Sequence, residues 1–119
     1  MIKGDVVYFI EGRCNRVVRA LIQEIFSKEE CKYTKLRCLD EVGTTIRPVN
    51  QLYSSEEAAE ASRKRIFETD VKNYLSKIDS VESLFRFMLD HDVSCCEYRD
   101  YAARCAAVEA GKSILGIVL

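Results

Sequence analysis

The chain has one histidine, one proline and five glycines in 119 residues. A single imidazole leaves His91 as the one histidine available to a catalytic triad, and no G-x-S-x-G elbow or nucleophilic-cysteine signature accompanies it. So few glycines and prolines leave no flexible linker, and there is no internal repeat or low-complexity segment. Phosphate-binding loops are missing too. "EGRCNR" and "EVGTT" have neither the G-x(4)-G-K-[ST] nor the G-x-G-x-x-G spacing. No apolar run approaches the roughly 18 residues of a membrane span; the longest, Ile114–Leu119, contains Gly116. "MIKGDVVYFIEG" lacks the basic region, apolar core and cleavage site of a signal peptide. The expectation is a cytoplasmic chain with reduced cysteines and no membrane contact.

An excess of either charge is also lacking. Lys and Arg number 18 and Asp and Glu 19, a net of −1, so the basic surplus typical of nucleic-acid binders is absent. Residues 1–53 hold nine basic and seven acidic residues (+2), and residues 54–119 nine and twelve (−3), a mild asymmetry.

The six cysteines stand at 14, 31, 38, 95, 96 and 105, separations of 17, 7, 57, 1 and 9. None forms the C-x(2–4)-C knuckle of structural zinc or the C-x-x-C of a thiol oxidoreductase. "HDVSCC" places His91 and Cys95 at i, i+4, which a helix would bring to one face. Two ligands still do not make a four-ligand site. His91 is read as the end of one helix, Ser94 as the cap of the next, and the cysteines as small buried hydrophobes. Asp90/Asp92 and Glu56/Glu57 are read as helix-end charges rather than acid–base pairs. No catalytic residue, cofactor or metal is expected.

What is present divides in two. "DVVYFI", "KYTKLRCL" and "TTIRPV" read as strands. In the second, Tyr33, Lys35, Arg37 and Leu39 fall on one face and Thr34, Leu36 and Cys38 on the other. Pro48 marks an edge or an end. "NRVVRALIQEIF" fits either period; strands flank it, and strand is chosen with the help of the resemblance given below. Helices are expected over about 55–78, 80–91 and 95–115. Their signs are a Ser cap before Glu56 and Glu57, Asp79 or Ser80 capping the second, and Ala102, Ala103, Ala106, Ala107 and Ala110 on the third. The stripe of the second is Val81, Leu84, Phe85, Met88 and Leu89, and Phe87 falls outside it.

Gly4-Asp5, Val7-Tyr8, Tyr33 and Leu52-Tyr53, followed by Glu56-Glu57-Ala58, resemble small SH3-like β-barrel modules in proteins of Firmicutes phages and mobile elements. "SVESLFRFMLDH…EYRDYAAR…AGKSILGIVL" resembles the helical tail of small clostridial proteins, with Tyr101 where a tryptophan is expected. The resemblance implies an α+β chain: an SH3-like antiparallel barrel over 1–53, then a three-helix region over 54–119. It implies no activity.

The candidate partner-binding residues are Arg13, Arg16, Arg19, Lys35, Arg37 and Phe87. Arg13, Arg16 and Arg19 cluster at the first barrel loop; Lys35 and Arg37 lie on a barrel strand, with Lys32 and Arg47 also basic there. Phe87, with Tyr98 and Tyr101, is an apolar group off the main stripe, which marks a partner interface or, the favoured reading, packs against the barrel. The expected role is a non-catalytic protein-binding module, an adaptor or inhibitor of the anti-CRISPR kind by analogy. A nucleic-acid-associated accessory protein using the basic loops is the alternative. Oligomeric state is left open.

Overall fold

A computed structural model describes residues 1–90 and 98–116. The readings of His91, Ser94, Cys95 and Cys96 lie outside the described residues. The chain is α+β: four antiparallel strands followed by three helices. It separates into two compact units, Met1–Arg63 and Lys64–Leu119.

The first unit is a meander in the order β1 (Val6–Glu11), β2 (Arg16–Lys28), β3 (Cys31–Cys38) and β4 (Thr44–Pro48). The segment with two possible periods is therefore a strand, and an unusually long one at 13 residues. The side chains across β2 decide it. Val18, Ala20 and Ile22 alternate into the core opposite Phe9, Val7 and Leu36, a period-two burial that a helix would break. A register shift between Ile22 and Glu24 bends the strand there. Val7, Phe9, Val18, Ala20, Ile22, Leu36 and Leu52 form the core, with Cys38 packed against it. Thr34 is fully buried, and its hydroxyl donates to the Arg47 carbonyl at 2.9 Å. After Pro48 comes a 3-10 turn, Val49–Gln51. Tyr53 then returns to β1, where the Tyr8 and Tyr53 amides exchange hydrogen bonds of 2.9 and 2.8 Å. That bridge is isolated, so the sheet is open rather than a closed barrel.

Two turns use left-handed backbone without glycine. Asn15 (φ 48°) closes the β1–β2 loop, and Glu29 and Glu30 (φ 51° and 66°) close the β2–β3 hairpin. Asn15 is buried and donates through Nδ2 to the Arg63 carbonyl at 3.3 Å.

Ser55 caps α1 (Glu56–Leu75), accepting the Ala58 N–H at 3.2 Å, with Glu56 and Glu57 in the first turn. In the second unit Ser80 caps α2 (Val81–Asp90) reciprocally. Ser80 Oγ accepts the Ser83 N–H at 3.1 Å, and Ser83 Oγ accepts the Ser80 N–H at 2.9 Å. α3 (Tyr98–Leu115) buries Ala102, Ala103, Ala106, Ala107 and Ala110. Three of these, Ala103, Ala107 and Ala110, join Ile78, Leu84 and Phe87 in a second core, with Tyr74, Leu75 and Ile114 packed against it.

The face that α2 buries differs from the expected stripe. Leu84 and Phe87 are inside, while Val81, Phe85, Met88 and Leu89 are exposed. Apolar residues cover more than half the helix circumference, and the partner surface selects the Leu84–Phe87 side of it. Phe87, a candidate for a partner interface or for packing against the barrel, is a core residue of the second unit, with its ring edge-on to Tyr74 at 5.6 Å.

Candidate functional site

Register divides the sheet's side chains into two faces. Opposite residues share a face. The outer one gathers Val6, Tyr8, Arg19 and Leu21 with Glu24, Phe26, Tyr33, Lys35, Arg37, Thr44, Ile46 and Pro48. Phe26 and Tyr33 are directly opposed and stack at 5.9 Å. Val6 and Ile46 are exposed on the same face, at 44% and 59%. This is a surface of mixed apolar and basic character.

The arginine cluster is built differently from its sequence spacing. The first loop does not present three free cations. Arg16 is held by two carboxylates: Nη2 donates to both oxygens of Glu41 at 2.9 and 3.0 Å, and Nε to Glu11 at 3.4 Å. Arg19 donates to both oxygens of Asp40 at 3.3 and 3.0 Å. The hydrogen bond and charge of Glu41 raise the Arg16 pKa, and those of Asp40 raise that of Arg19. Glu11 responds in the opposite sense. Partial burial pushes its carboxyl up, but hydrogen bonds from Cys14, the Arg13 amide and Arg16 outweigh this and hold it below its ordinary value. Arg13 also has an interaction partner of its own. Such exposed pairs are individually weak, yet each one cancels a charge that a phosphate would otherwise meet.

Lys35 and Arg37 are the contrast. Both are exposed on β3 and make no ion pair or side-chain hydrogen bond among the described residues. Arg47 lies on the inner face: its guanidinium sits 4.7 Å from the centre of the Phe9 ring, and its Nε is buried without a hydrogen-bond partner. Pro48 ends β4, and a cleft of about 430 Å³ opens there, lined by Cys31, Lys32, Tyr33, Pro48, Val49, Asn50 and Gln51.

The structure thus brings Lys35 and Arg37 together, pairs Arg16 and Arg19 with acids from the β3–β4 loop, and removes Phe87 to the helical core. Tyr101 is exposed and stacks on Phe67 at 5.8 Å, and the Tyr98 hydroxyl donates to Asp70 at 2.6 Å. Ile46, Asp40 and Glu41 belong to the site but are not marked by any motif in the sequence. The alternation of "TTIRPV" is the signal that could have placed Ile46 beside Lys35. No local pattern announces the ion pairs, which the chain brings together beside the bond from the Leu39 amide to the Arg19 carbonyl at 3.0 Å. Among the described residues no three His, Cys, Asp or Glu side chains cluster as metal ligands, and no helix is long and apolar enough to cross a membrane. No family model matches this chain, and neither a curated protein sequence nor a solved structure matches it.

Proposed function

We propose that the protein is a non-catalytic binding module that engages another protein through the outer face of its sheet. One observation carries this reading: the arginines best placed for phosphate contact, Arg16 and Arg19, are already neutralised by Glu11, Glu41 and Asp40. Of these two only Arg19 stands on the outer face, Arg16 being opposite Glu11 on the inner set. The outer face otherwise presents a mixture of exposed apolar groups, a stacked aromatic pair, Glu24, and two cations without an ion pair among the described residues, Lys35 and Arg37. That mixture suits a protein surface better than a polyanion. An adaptor or inhibitor encoded by a phage or mobile element is the form that the sequence resemblance suggests. The SH3-like reading of the first unit belongs to the same proposal. It is supported by the long bulged β2 and by the return of Tyr53 to β1 after a 3-10 turn.

Two measurements test it. Mobility of labelled single-stranded RNA and duplex DNA should be unchanged by the protein at low salt. A retarded complex that weakens steeply with salt would favour the nucleic-acid reading instead. Affinity capture from the native host should retain a protein with the wild type that the Lys35→Glu, Ile46→Asp double variant loses. Capture unaffected by that variant would remove the outer face from the reading.

A further inference from the structure

Among the described residues β4 is an unpaired edge, and the hydrogen-bond phase states which of its backbone groups face outward. The Cys38 amide donates to the Gly43 carbonyl at 3.0 Å, and these two residues are the next step of the register beyond Arg37 and Thr44. In an antiparallel ladder such pairs alternate with pairs that do not bond to each other. Leu36–Thr45 and Thr34–Arg47 are then the bonded pairs. Thr44 and Ile46, opposite Arg37 and Lys35, turn their N–H and C=O groups away from β3. Pro48 falls on the same alternate set, where its missing N–H leaves the β3 ladder intact. The outward row is therefore two amides and three carbonyls. On the opposite edge Tyr53 already engages the corresponding groups of Tyr8.

We infer that the β4 edge accepts an extended acidic peptide segment of a partner protein, added antiparallel to β4 as a fifth strand. This rests on the protein-binding reading above and names its site. Main-chain bonds to Thr44 and Ile46 supply the alignment. The peptide residues opposite Thr44 and Ile46 are two apart and share the outer face. There Arg37 and Lys35 stand one strand further in, without an ion pair among the described residues; only the short Thr44 side chain lies in front of Arg37, while Lys35 has Ile46 in front of it and Glu24 opposite it on the β2 side, so Arg37 is the stronger of the two cations. Carboxylates at those alternate positions meet both cations, whereas lysines there would be repelled. Ile46, exposed at 59%, gains a cross-strand neighbour. At the Pro48 end, the cleft between the start of β3 and the 3-10 turn takes a side chain from the peptide's continuation.

Pro48 suggests the decisive variant. Ile46→Pro deletes one outward N–H without touching the β3 ladder, because Ile46 occupies the same alternate set. Fluorescence anisotropy with a labelled eight-residue peptide, Glu alternating with Thr and Val, should report binding to the full chain. Ile46→Pro should weaken it about tenfold, the worth of one main-chain bond. Lys35→Glu with Arg37→Glu should abolish it and transfer binding to the peptide with Lys in place of Glu. Circular dichroism of each variant controls for folding, and Ile46→Ala, which keeps the N–H, is the second probe of the edge. Absence of binding to the Glu peptide, equal binding of the Lys peptide, or indifference to Ile46→Pro overturns the inference. So does self-association that Ile46→Pro abolishes, which would assign the edge to a second copy. A host protein captured through the outer face yet indifferent to Ile46→Pro would leave the protein-binding reading standing while this site falls.

Discussion

Asn15 holds the first loop by two means at once. Its backbone is left-handed, at φ 48°, and its buried amide donates to the Arg63 carbonyl. Asn tolerates that conformation better than most side chains, and the buried carbonyl would lose its partner if the amide went. Asn15→Ala should cost about 1–3 kcal/mol in urea unfolding. Asn15→Gly relieves the backbone while still losing the bond, so it should cost less; equal costs would show that the backbone conformation contributes nothing. Glu11, beside this loop, should titrate. Its carboxyl is held below the ordinary 4.5, so its contribution to stability is complete above that value and disappears as pH falls through the lower folded-state value. Carbon-detected NMR titration should place the Glu11 midpoint below 4.5 and move it upward in Arg16→Ala. An unmoved midpoint would assign the effect to the bonds from Cys14 and the Arg13 amide.

The hairpin between β2 and β3 turns on Glu29 and Glu30, both with positive φ, flanked by the Lys28–Cys31 pair. That geometry belongs to Asn-Gly, and each ordinary side chain in it costs about 1–2 kcal/mol. Replacing Glu29-Glu30 by Asn-Gly should therefore stabilise the chain by about 1–2 kcal/mol and raise the thermal midpoint; an unchanged midpoint would mean that the turn is not strained. The turn was hard to see in the sequence because nothing in "SKEECK" marks it. Strand existence was easier: the alternation of Thr34 and Leu36 against Tyr33, Lys35 and Arg37 is carried by the residues themselves. For α2 the residues set the type of element but not its orientation. With Val81, Leu84, Phe85, Phe87, Met88 and Leu89 spread around it, several faces are apolar, and the alanine surface of α3 together with Tyr74 and Ile78 decides that Leu84 and Phe87 go in. Phe87→Ala should cost about 3–5 kcal/mol and Phe85→Ala, at an exposed position, under about 1 kcal/mol. Similar costs would return α2 to the stripe expected from its spacing.

At the scale of the molecule, the division into sheet and helices follows from the change of period near Tyr53, which is written in the sequence. The charge arrangement is not. Arg16 meets Glu41 and Arg19 meets Asp40 across more than twenty residues of chain, and only the closing of the meander creates those pairs. There are also two cores. Val7, Phe9, Val18, Ala20, Ile22, Leu36 and Leu52 form one, and Ile78, Leu84, Phe87, Ala103, Ala107 and Ala110 the other, and no described residue belongs to both. α1 is the element common to both units, since the boundary falls within it, between Arg63 and Lys64. Cooperativity requires shared contacts, so damage to one core should stay local. Leu36→Ala removes a fully buried side chain at a cost of about 2–5 kcal/mol. Hydrogen exchange read by mass spectrometry should then show lost protection across β1 to β4 and unchanged protection in α2 and α3. Phe87→Ala should reverse the pattern. The amides of α1 should split, those before Lys64 following the Leu36 variant and those after Arg63 following the Phe87 variant. Uniform loss across the chain in either variant would show that α1 transmits stability along its length and joins the two cores into one folding unit.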